Sequence, residues 1–228
     1  MFPFDPMYFL FVAPAFLLGL WAQLRIKTTY ATAQQLAAPL SGAAAARHIL
    51  NSAGLQDVGV EEIPGHLTDH YDPRAKVLRL SQEVYQSRSL AAVGIAAHEA
   101  GHAIQDARNY APLVIRNAAV PLAGFGSNVG ILLIILGAAL SWNATLIWLG
   151  IGLFAGVVVF QIVNLPVEFN ASARAKAQLV ELGIINRDEL YYVSKVLGAA
   201  ALTYVAATLQ AIATLLYYIV RFAGNSRR

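Results

Sequence analysis

The sequence His98-Glu99-Ala100-Gly101-His102 lies near the middle of the chain and places two imidazoles four residues apart. If this segment is helical, His98 and His102 lie on one face, one turn apart, where both can bind a single metal ion. Glu99 is rotated away by about 100° and is poorly placed as a third ligand at that face. It can, however, reach a water molecule on such an ion.

This arrangement is typical of zinc hydrolases, in which the glutamate is the general base. The flanking residues 91–97 and 103–105 are uncharged, which indicates a buried helix. Burying two imidazoles and a carboxylate without partners is costly, and metal coordination accounts for all three. The alternative is a helix whose His are partly exposed or hydrogen-bonded in the core. Gly101 costs roughly 1 kcal/mol against Ala in a helix, so we expect a close neighbouring backbone there.

The composition is that of a membrane protein. Of the 228 residues, 57% are hydrophobic and 13% are charged, far from the balance of a soluble domain. Four uncharged runs each exceed the roughly 18–20 residues with which a helix crosses a bilayer. These runs cover 6–24, 117–142, 143–166 and 196–220. Because Arg25 and Lys27 follow the first run and no Lys or Arg precedes it, we expect an uncleaved anchor with its N-terminus outside.

Positive charge is distributed unevenly between these runs. Of the 16 Lys and Arg, nine lie in 25–116 and four in 174–195, whereas the link at 141–145 has none. The positive-inside rule therefore places both large loops in the cytoplasm, although three Arg in the C-terminal tail oppose it. The basic residues are not clustered among aromatics, so no nucleic-acid surface is expected. Since the chain has no Cys, a metal must be held by His and carboxylates.

A β-hairpin is predicted ahead of the motif helix. Segments 65–71 and 76–80 flank a turn signal at 72–74, and 58–63 alternates as a further strand. An antiparallel edge beside a metal site can accept an extended peptide as an additional strand. The alternative is an ordinary hairpin that only covers the core, and the sequence does not decide between the two.

A catalytic zinc needs three protein ligands and one open position for water. The strongest candidate for the third ligand is Glu168, which lies at the cytoplasmic end of an apolar run, where an unpaired carboxylate would be out of place. The alternative is a solvated carboxylate near a helix N-terminus, favoured by the helix dipole. The spacing alone does not decide between the two.

Four blocks of sequence resemble the YugP-type family, described as putative zinc metallopeptidases of prokaryotic membranes. They are GHLTDHYDPRAKVLRLS at 65–81, HEAGH at 98–102, LPVEFNASARA at 165–175 and AAALTYVAA at 199–207. The chain is more distantly similar to HtpX-like membrane proteases, which combine HExxH with a later glutamate ligand and a site facing the cytoplasm. The resemblance implies one catalytic zinc with His98, His102 and Glu168 as its ligands, and Glu99 as the catalytic base.

Two positions depart from these families. The YugP-type block usually has Asp where this chain has Asn170, and the HtpX-like pattern has an acid where Ser172 stands. A carboxylate that orients a ligand His is often worth about 10–100-fold in metal affinity or activity. Its loss would weaken catalysis more than metal binding. Three other acids could substitute for it, namely Asp69, Asp72 and Asp106.

The expected reaction is metal-assisted hydrolysis of a peptide bond. The zinc lowers the pKa of its water towards neutrality, and Glu99 takes the proton and later passes it to the leaving amine. A further donor must stabilise the tetrahedral oxyanion. The candidates are Arg174, Tyr71, His70 and His66, and for the two His an ordinary role in a loop or turn is the stronger alternative.

Two other classes of protein are alternatives to this one. An intramembrane protease of the site-two type needs HExxH within a span and an Asp ligand in a later span, and this sequence has neither feature. The other alternative is a catalytically weak or inactive membrane adaptor that keeps the metal-binding fold, which Asn170 and Ser172 favour. In either case the small residues at 199–201 and in the spans suit helix packing, within the chain or with another copy or partner.

The predicted fold is therefore a mostly α membrane protein with about four transmembrane helices and a small α+β, zincin-like cytoplasmic domain. That domain holds the β-hairpin and the HExxH helix. Along the chain we expect an N-terminal anchor (1–24), the metallopeptidase domain (25–116), two transmembrane helices (117–166), a cytoplasmic segment with the third ligand (167–195), and a C-terminal transmembrane helix and tail (196–228). The expected partners are a peptide or membrane-protein substrate and the lipid bilayer.

Overall fold

The computed structural model describes residues 5–223, apart from the side chain of residue 122. Most of this part of the chain is helical. The helices are α1 (Pro6–Gln34), α2 (Gly42–Ser52), α3 (Gln82–Gln86), α4 (Leu90–Ala107), α5 (Ala111–Ala139), α6 (Ala144–Glu181) and α7 (Arg187–Ala223). Within the same residues, one small sheet contains β1 (Gly59–Ile63), β2 (His70–Asp72) and β3 (Val77–Ser81).

The chain divides into two compact units. The mixed unit comprises Ala22–Val114 and Pro166–Ala201 and contains the sheet and α2 to α4. The helical unit contains 5–21, 115–165 and 202–223 of the described residues. Because the bounds of the units fall inside α1, α5, α6 and α7, each of these helices contributes residues to both.

Three helices in the described part of the chain, α1, α6 and α7, are long and apolar enough to cross a membrane. A fourth apolar segment, α5, is bent by 43° between Ala111–Pro121 and Ala123–Ala139. A proline inside a helix removes a backbone hydrogen bond and is a common cause of such a bend. Counted as one span, the bent pair brings the total to the four that the hydropathy pattern predicts.

Glycines bring α5 and α6 together within the helical unit. A Cβ atom on Gly150 would lie only 2.5 Å from the carbonyl oxygen of Gly130, and one on Gly126 would lie 2.5 Å from that of Leu153. Helices can approach this closely only where side chains are absent. The structure thus uses these small residues for packing within the chain.

In the sheet, β3 is central. It pairs with β2 in antiparallel register, with His70 opposite Arg79 and Asp72 opposite Val77, so the predicted hairpin is confirmed. On its other side β3 pairs with β1, but in parallel. The order β1-β3-β2 means that the chain leaves β1, passes through β2 at the far edge and returns to the middle, which strand periodicity alone does not indicate.

The core of the mixed unit surrounds α4. Its alanines Ala92, Ala96 and Ala100 are fully buried, as are Ala45 and Ile49 on the neighbouring α2. Because side chains this small let backbones approach closely, α4 is held among its neighbours over most of its length. The motif helix is therefore the buried helix that its uncharged flanks predict.

Candidate metal centre

The helix α4 carries the two imidazoles of the motif. It begins after Ser89, whose hydroxyl accepts a hydrogen bond from the N–H of Ala92 and caps the helix. His98 and His102 both lie on α4, and their ring centroids are 4.8 Å apart in an edge-to-face arrangement. The predicted common face is therefore present.

Glu168 reaches this face from α6. Its Oε2 atom lies 3.3 Å from Nε2 of His98 and 3.7 Å from Nε2 of His102, and its side chain is only 5% exposed. Since α6 begins at Ala144, Glu168 lies well inside a helix. The alternative of a solvated carboxylate at a helix N-terminus is therefore wrong.

Gly101 explains how α6 comes so close to α4. A Cβ atom at this position would lie 2.7 Å from the carbonyl oxygen of Ala171, less than any real Cβ contact. Ala171 follows Glu168 by about one helical turn, so the close backbone approach occurs beside the carboxylate. This is the packing reason that a glycine inside a helix leads one to expect.

The three side chains fit a zinc ion. Zinc lies roughly 2.0–2.2 Å from His nitrogen and carboxylate oxygen, so two ligand atoms at a tetrahedral angle are roughly 3.3 Å apart. Glu168 Oε2 lies 3.3 and 3.7 Å from the two Nε2 atoms, close to this spacing. All three ligand atoms lie within 4.8 Å of one another, so the side chains would draw slightly closer around an ion. Glu168 Oε2 is buried and accepts no hydrogen bond from the described part of the chain. A buried charge of this kind is expensive unless a cation compensates it.

The electrostatics of the site favour a cation. Burial lowers the pKa of the His102 imidazolium, but the carboxylates of Glu168 and Glu99 more than offset this, so the pKa lies above its ordinary value. The same carboxylates would attract a divalent ion in place of the proton. Binding of such an ion requires the neutral imidazole and therefore releases any proton that it carries.

The other nitrogen of each ring has a neutral partner. Nδ1 of His98 lies 3.1 Å from the hydroxyl oxygen of Ser172, and Nδ1 of His102 lies 3.0 Å from Oε1 of Gln105. Asn170 contacts neither ring directly, but its Oδ1 accepts a hydrogen bond from Nε2 of Gln105 at 3.0 Å. Ser172 thus stands where the HtpX-like pattern has an acid.

The three acids considered as substitutes are engaged elsewhere in the described structure. Asp69 accepts hydrogen bonds from the N–H and hydroxyl of Ser81, and Asp72 from the guanidinium of Arg79. Asp106 accepts from the hydroxyl of Tyr71 and from Lys76. These carboxylates stabilise the hairpin and its attachment to α4, and no described hydrogen bond joins them to the two imidazoles.

The sequence comparisons agree with this geometry. The family model described as "Putative neutral zinc metallopeptidase" matches residues 8–223. The chain belongs to this metallopeptidase family. It is also 47% identical over 222 residues to the "Putative membrane protease YugP" of Bacillus subtilis (strain 168), covering 96% of this chain and 98% of that protein. No solved structure matches the chain. The resemblance to the YugP-type family is confirmed.

Glu99 is the predicted base of this member of the metallopeptidase family. It directly follows His98 on α4 and is 8% exposed. Its carboxylate lies close enough to His102 to raise the pKa of that ring. The structure therefore places an anionic side chain beside the two imidazoles, and its role in proton transfer stays a prediction.

The candidates for oxyanion stabilisation lie in different surroundings. Arg174 is half-buried on α6 and donates from Nε to Oδ1 of Asn170 at 2.7 Å, which links it to the outer contacts of the site. The hydroxyl of Tyr71, on the edge strand β2, donates to Asp106 at 2.8 Å.

The two other candidates, His66 and His70, are exposed. His66 pairs with Glu83 at 2.9 Å, and Nδ1 of His70 lies 2.8 Å from the backbone oxygen of Thr68. The ring of His66 also packs edge-to-face on Tyr30 of α1, with the centroids 5.8 Å apart. None of these described contacts involves His98, His102 or Glu168, so the structure favours ordinary loop roles for both residues.

Gln105 is a residue of the site that the sequence analysis missed. It is fully buried, with 0% exposure, and joins His102 to Val167 and Asn170 on α6. In the sequence it is merely an uncharged residue beside the motif. The available signal was a polar side chain three residues after His102 on an otherwise apolar, buried helix, where a hydrogen-bonding reason is required.

Proposed function

We propose that this chain is a membrane-embedded, zinc-dependent metalloendopeptidase of the gluzincin type. The observation that carries the proposal is the buried Glu168 carboxylate. Its Oε2 faces Nε2 of both His98 and His102 and accepts no hydrogen bond from residues 5–223. Two imidazoles and one carboxylate with an open fourth position form the donor set of a hydrolytic zinc site. The family of the chain and the name of its Bacillus relative support the same function.

The proposed catalytic domain is zincin-like and is formed by 25–116 and 167–195. The HExxH helix and the segment with Glu168 both belong to the mixed unit, which supports this assignment. We place this domain on the cytoplasmic side because 13 of the 16 basic residues lie in 25–116 (nine) and 167–195 (four). The transmembrane segments are then 1–24, 117–166 and 196–228, the last with its tail.

The residues of the site have two different roles, namely metal binding and proton transfer. A single zinc ion held by His98, His102 and Glu168 would supply a Lewis acid, which polarises the peptide carbonyl and lowers the pKa of water. Glu99 accepts the proton of the attacking water and delivers it to the leaving amine. The side chains of His98 and His102 are each 14% exposed and that of Glu168 is 5% exposed. Electrostatic interactions are stronger at such a site than in bulk water.

The proposal is tested with the full chain purified in detergent. We expect one zinc per chain and cleavage of casein or of a membrane-protein substrate that stops with a chelator and returns with zinc. The variant Glu99→Gln is expected to keep its zinc and lose cleavage by about 10²–10⁴-fold, because general acid–base catalysis contributes about this much. Wild-type cleavage by Glu99→Gln would refute the assignment of the base.

A second candidate function is that of a catalytically weak or inactive membrane adaptor that keeps the metal-binding fold. It is favoured by the neutral outer contacts, in which Ser172 and Gln105 stand where a carboxylate often orients a ligand His. The same preparation separates the two candidates. Bound zinc without chelator-sensitive cleavage of any substrate supports the adaptor, whereas chelator-sensitive cleavage lost in Glu99→Gln supports the peptidase.

A further inference from the structure

Gln105 is placed between the motif helix and the segment of α6 that carries Glu168. Its Oε1 lies 3.0 Å from Nδ1 of His102, and its Nε2 donates to the carbonyl oxygen of Val167 at 2.8 Å and to Oδ1 of Asn170 at 3.0 Å. The residue is fully buried. Each polar atom of its amide group is therefore hydrogen-bonded, and all three contacts lie in or next to the metal centre.

The orientation of this amide follows from its partners. A backbone carbonyl such as that of Val167 can only accept a hydrogen bond, so the Gln105 atom facing it must be the amide nitrogen. Asn170 agrees independently, because a guanidinium can only donate and the Asn170 atom that Arg174 contacts at 2.7 Å must be its oxygen. That oxygen also faces Nε2 of Gln105. The oxygen of the Gln105 amide is thus left facing His102.

The orientation of the amide determines where the proton of His102 lies. An amide oxygen only accepts, so the short contact requires a proton on Nδ1 of His102. The other ring nitrogen, Nε2, is then unprotonated in the neutral imidazole and points its lone pair towards Glu168, 3.7 Å away. A metal binds this form of the ring at Nε2.

We propose that Gln105 is a positioning residue that selects the Nδ1-protonated tautomer of His102 and couples its orientation to the Glu168 segment of α6. The coupling arises because Val167, which accepts from Gln105, directly precedes Glu168 in the chain. The importance of this contact for zinc rests on the proposed function. The choice of tautomer does not, because it is a property of the metal-free protein.

The first test measures the tautomer without metal. The full chain is labelled with ¹⁵N-histidine, stripped of metal and studied by NMR at pH 9, with the His102 signals assigned from a His102→Gln variant. In the wild type we expect a protonated Nδ1 and an unprotonated Nε2. In Gln105→Met, which keeps the length of the side chain but has no amide, the proton is expected to move to Nε2, beside the Glu168 carboxylate. An unchanged tautomer in Gln105→Met would overturn the proposal.

The second test measures zinc affinity by competition with a chromogenic chelator. Gln105→Met should weaken binding by about 10–100-fold, the usual effect of losing an outer hydrogen bond to a ligand His. The matched control is Gln178→Met, because Gln178 lies on α6 and contacts Ser52 and Glu181 rather than the site. This control should bind zinc as the wild type does. Wild-type affinity in Gln105→Met would contradict the positioning role.

A third pair of variants covers the case in which Gln105→Met fails to fold. Asn170→Ala removes one of the two acceptors that orient the Gln105 amide, and we expect a weaker zinc affinity that Asn170→Asp restores. Equal affinity in Asn170→Ala and the wild type would then refute the proposal. If the wild type itself binds no zinc, the proposed function fails, and the NMR measurement still decides the role of Gln105.

Discussion

Among single residues, Glu168 defines the site, because its buried carboxylate faces both imidazoles of the motif. Glu168 Oε2 is buried, faces two imidazole nitrogens and accepts no hydrogen bond from the described residues. His102, one of these partners, has a raised pKa because the carboxylates outweigh its burial. Such an arrangement favours a proton or a cation at the centre of the three side chains, and it makes Glu168 the most informative residue to change.

Glu168→Gln is expected to lower zinc affinity by more than about 100-fold, since the loss of a ligand should exceed that of an outer contact. Zinc at about 100 times its Kd should stabilise the wild type by about 2.7 kcal/mol, and this gain should vanish in the variant. The measurement is thermal unfolding in detergent with zinc and with a chelator. Glu181→Gln, an exposed position on the same helix, is the control. Equal zinc stabilisation of Glu168→Gln and the wild type would remove Glu168 from the site.

At the scale of elements, the site depends on how closely two helices approach. Gly101 on α4 lies against the backbone of Ala171 on α6, one turn beyond Glu168. Gln105 on α4 also links the two helices, because its Nε2 donates a hydrogen bond to the carbonyl oxygen of Val167 on α6. The hairpin is attached to α4 separately, through the hydrogen bond from Tyr71 to Asp106. The contact between α4 and α6 brings the three proposed ligands together. The hairpin of β2 and β3 belongs to the same mixed unit.

Gly101→Ala tests the helix contact. The added Cβ would meet the Ala171 carbonyl oxygen at 2.7 Å, so α4 and α6 must separate. Overpacking costs about 1–3 kcal/mol, of which the better helix propensity of Ala returns about 1 kcal/mol. We expect lower stability and weaker zinc binding, measured by thermal unfolding and chelator competition. Gly198→Ala on α7, where a Cβ would meet nothing within 4 Å, should be neutral or stabilising. Unchanged zinc affinity in Gly101→Ala would contradict this account.

The hairpin supplies a prediction about pH. The guanidinium of Arg79 and the N–H groups of Ala75 and Arg74 hold the pKa of Asp72 at about 2, below the ordinary value of 3.8. A carboxyl whose pKa is lower in the folded state contributes stability above its ordinary pKa and loses it as the pH falls towards the folded value. Asp72→Asn should therefore destabilise the hairpin at neutral pH, and its difference from the wild type should shrink between about pH 4 and pH 2.

Hydrogen exchange of residues 70–81, followed by mass spectrometry from about pH 7 to about pH 2, measures this effect. Asp57→Asn is the control, because Asp57 is exposed and precedes the sheet. A difference between Asp72→Asn and the wild type that stays constant over this pH range would show that the carboxylate contributes nothing to the hairpin.

In the whole molecule, long apolar segments alternate along the chain with segments that contain most of the basic residues. Within residues 5–223, three helices are long and apolar enough to cross a membrane, or four if the bent α5 is counted. The basic residues are concentrated in the segments between them. Because the link between α5 and α6 has no Lys or Arg, the positive-inside rule places it opposite the proposed catalytic domain. A site on the cytoplasmic side would act on cytoplasmic peptides or on the cytoplasmic parts of membrane proteins.

This orientation can be tested by labelling, because the chain contains no Cys and single cysteines give an unambiguous signal. Two exposed positions are suitable, His48 on α2 and Thr145 at the start of α6. In right-side-out membrane vesicles, a membrane-impermeant maleimide should label Thr145→Cys, and it should label His48→Cys only after detergent is added. The unsubstituted chain controls for background. Labelling of His48→Cys in sealed vesicles would place the proposed catalytic domain outside the cell.

Features that depend on local pattern could be predicted from the amino-acid sequence. Uncharged runs predicted the apolar helices, alternation predicted β1 and β3, and the turn signal at 72–74 predicted the hairpin. His98 and His102 share a helix face because 3.6 residues make a turn. The close approach of a neighbouring backbone at Gly101 was also predictable, because glycine is unfavourable inside a helix unless the packing needs it.

Features that join distant segments could not be predicted in this way and became evident from the packed structure. The parallel pairing of β1 with β3 and the contact of α6 with α4 depend on packing that no local periodicity encodes. For the same reason the spacing left Glu168 undecided, and the roles of Ser172 and Gln105 were not visible. A hydrogen bond between residues 74 or 65 positions apart exists only after the helices have packed, because the free energy that selects its partners comes from burial.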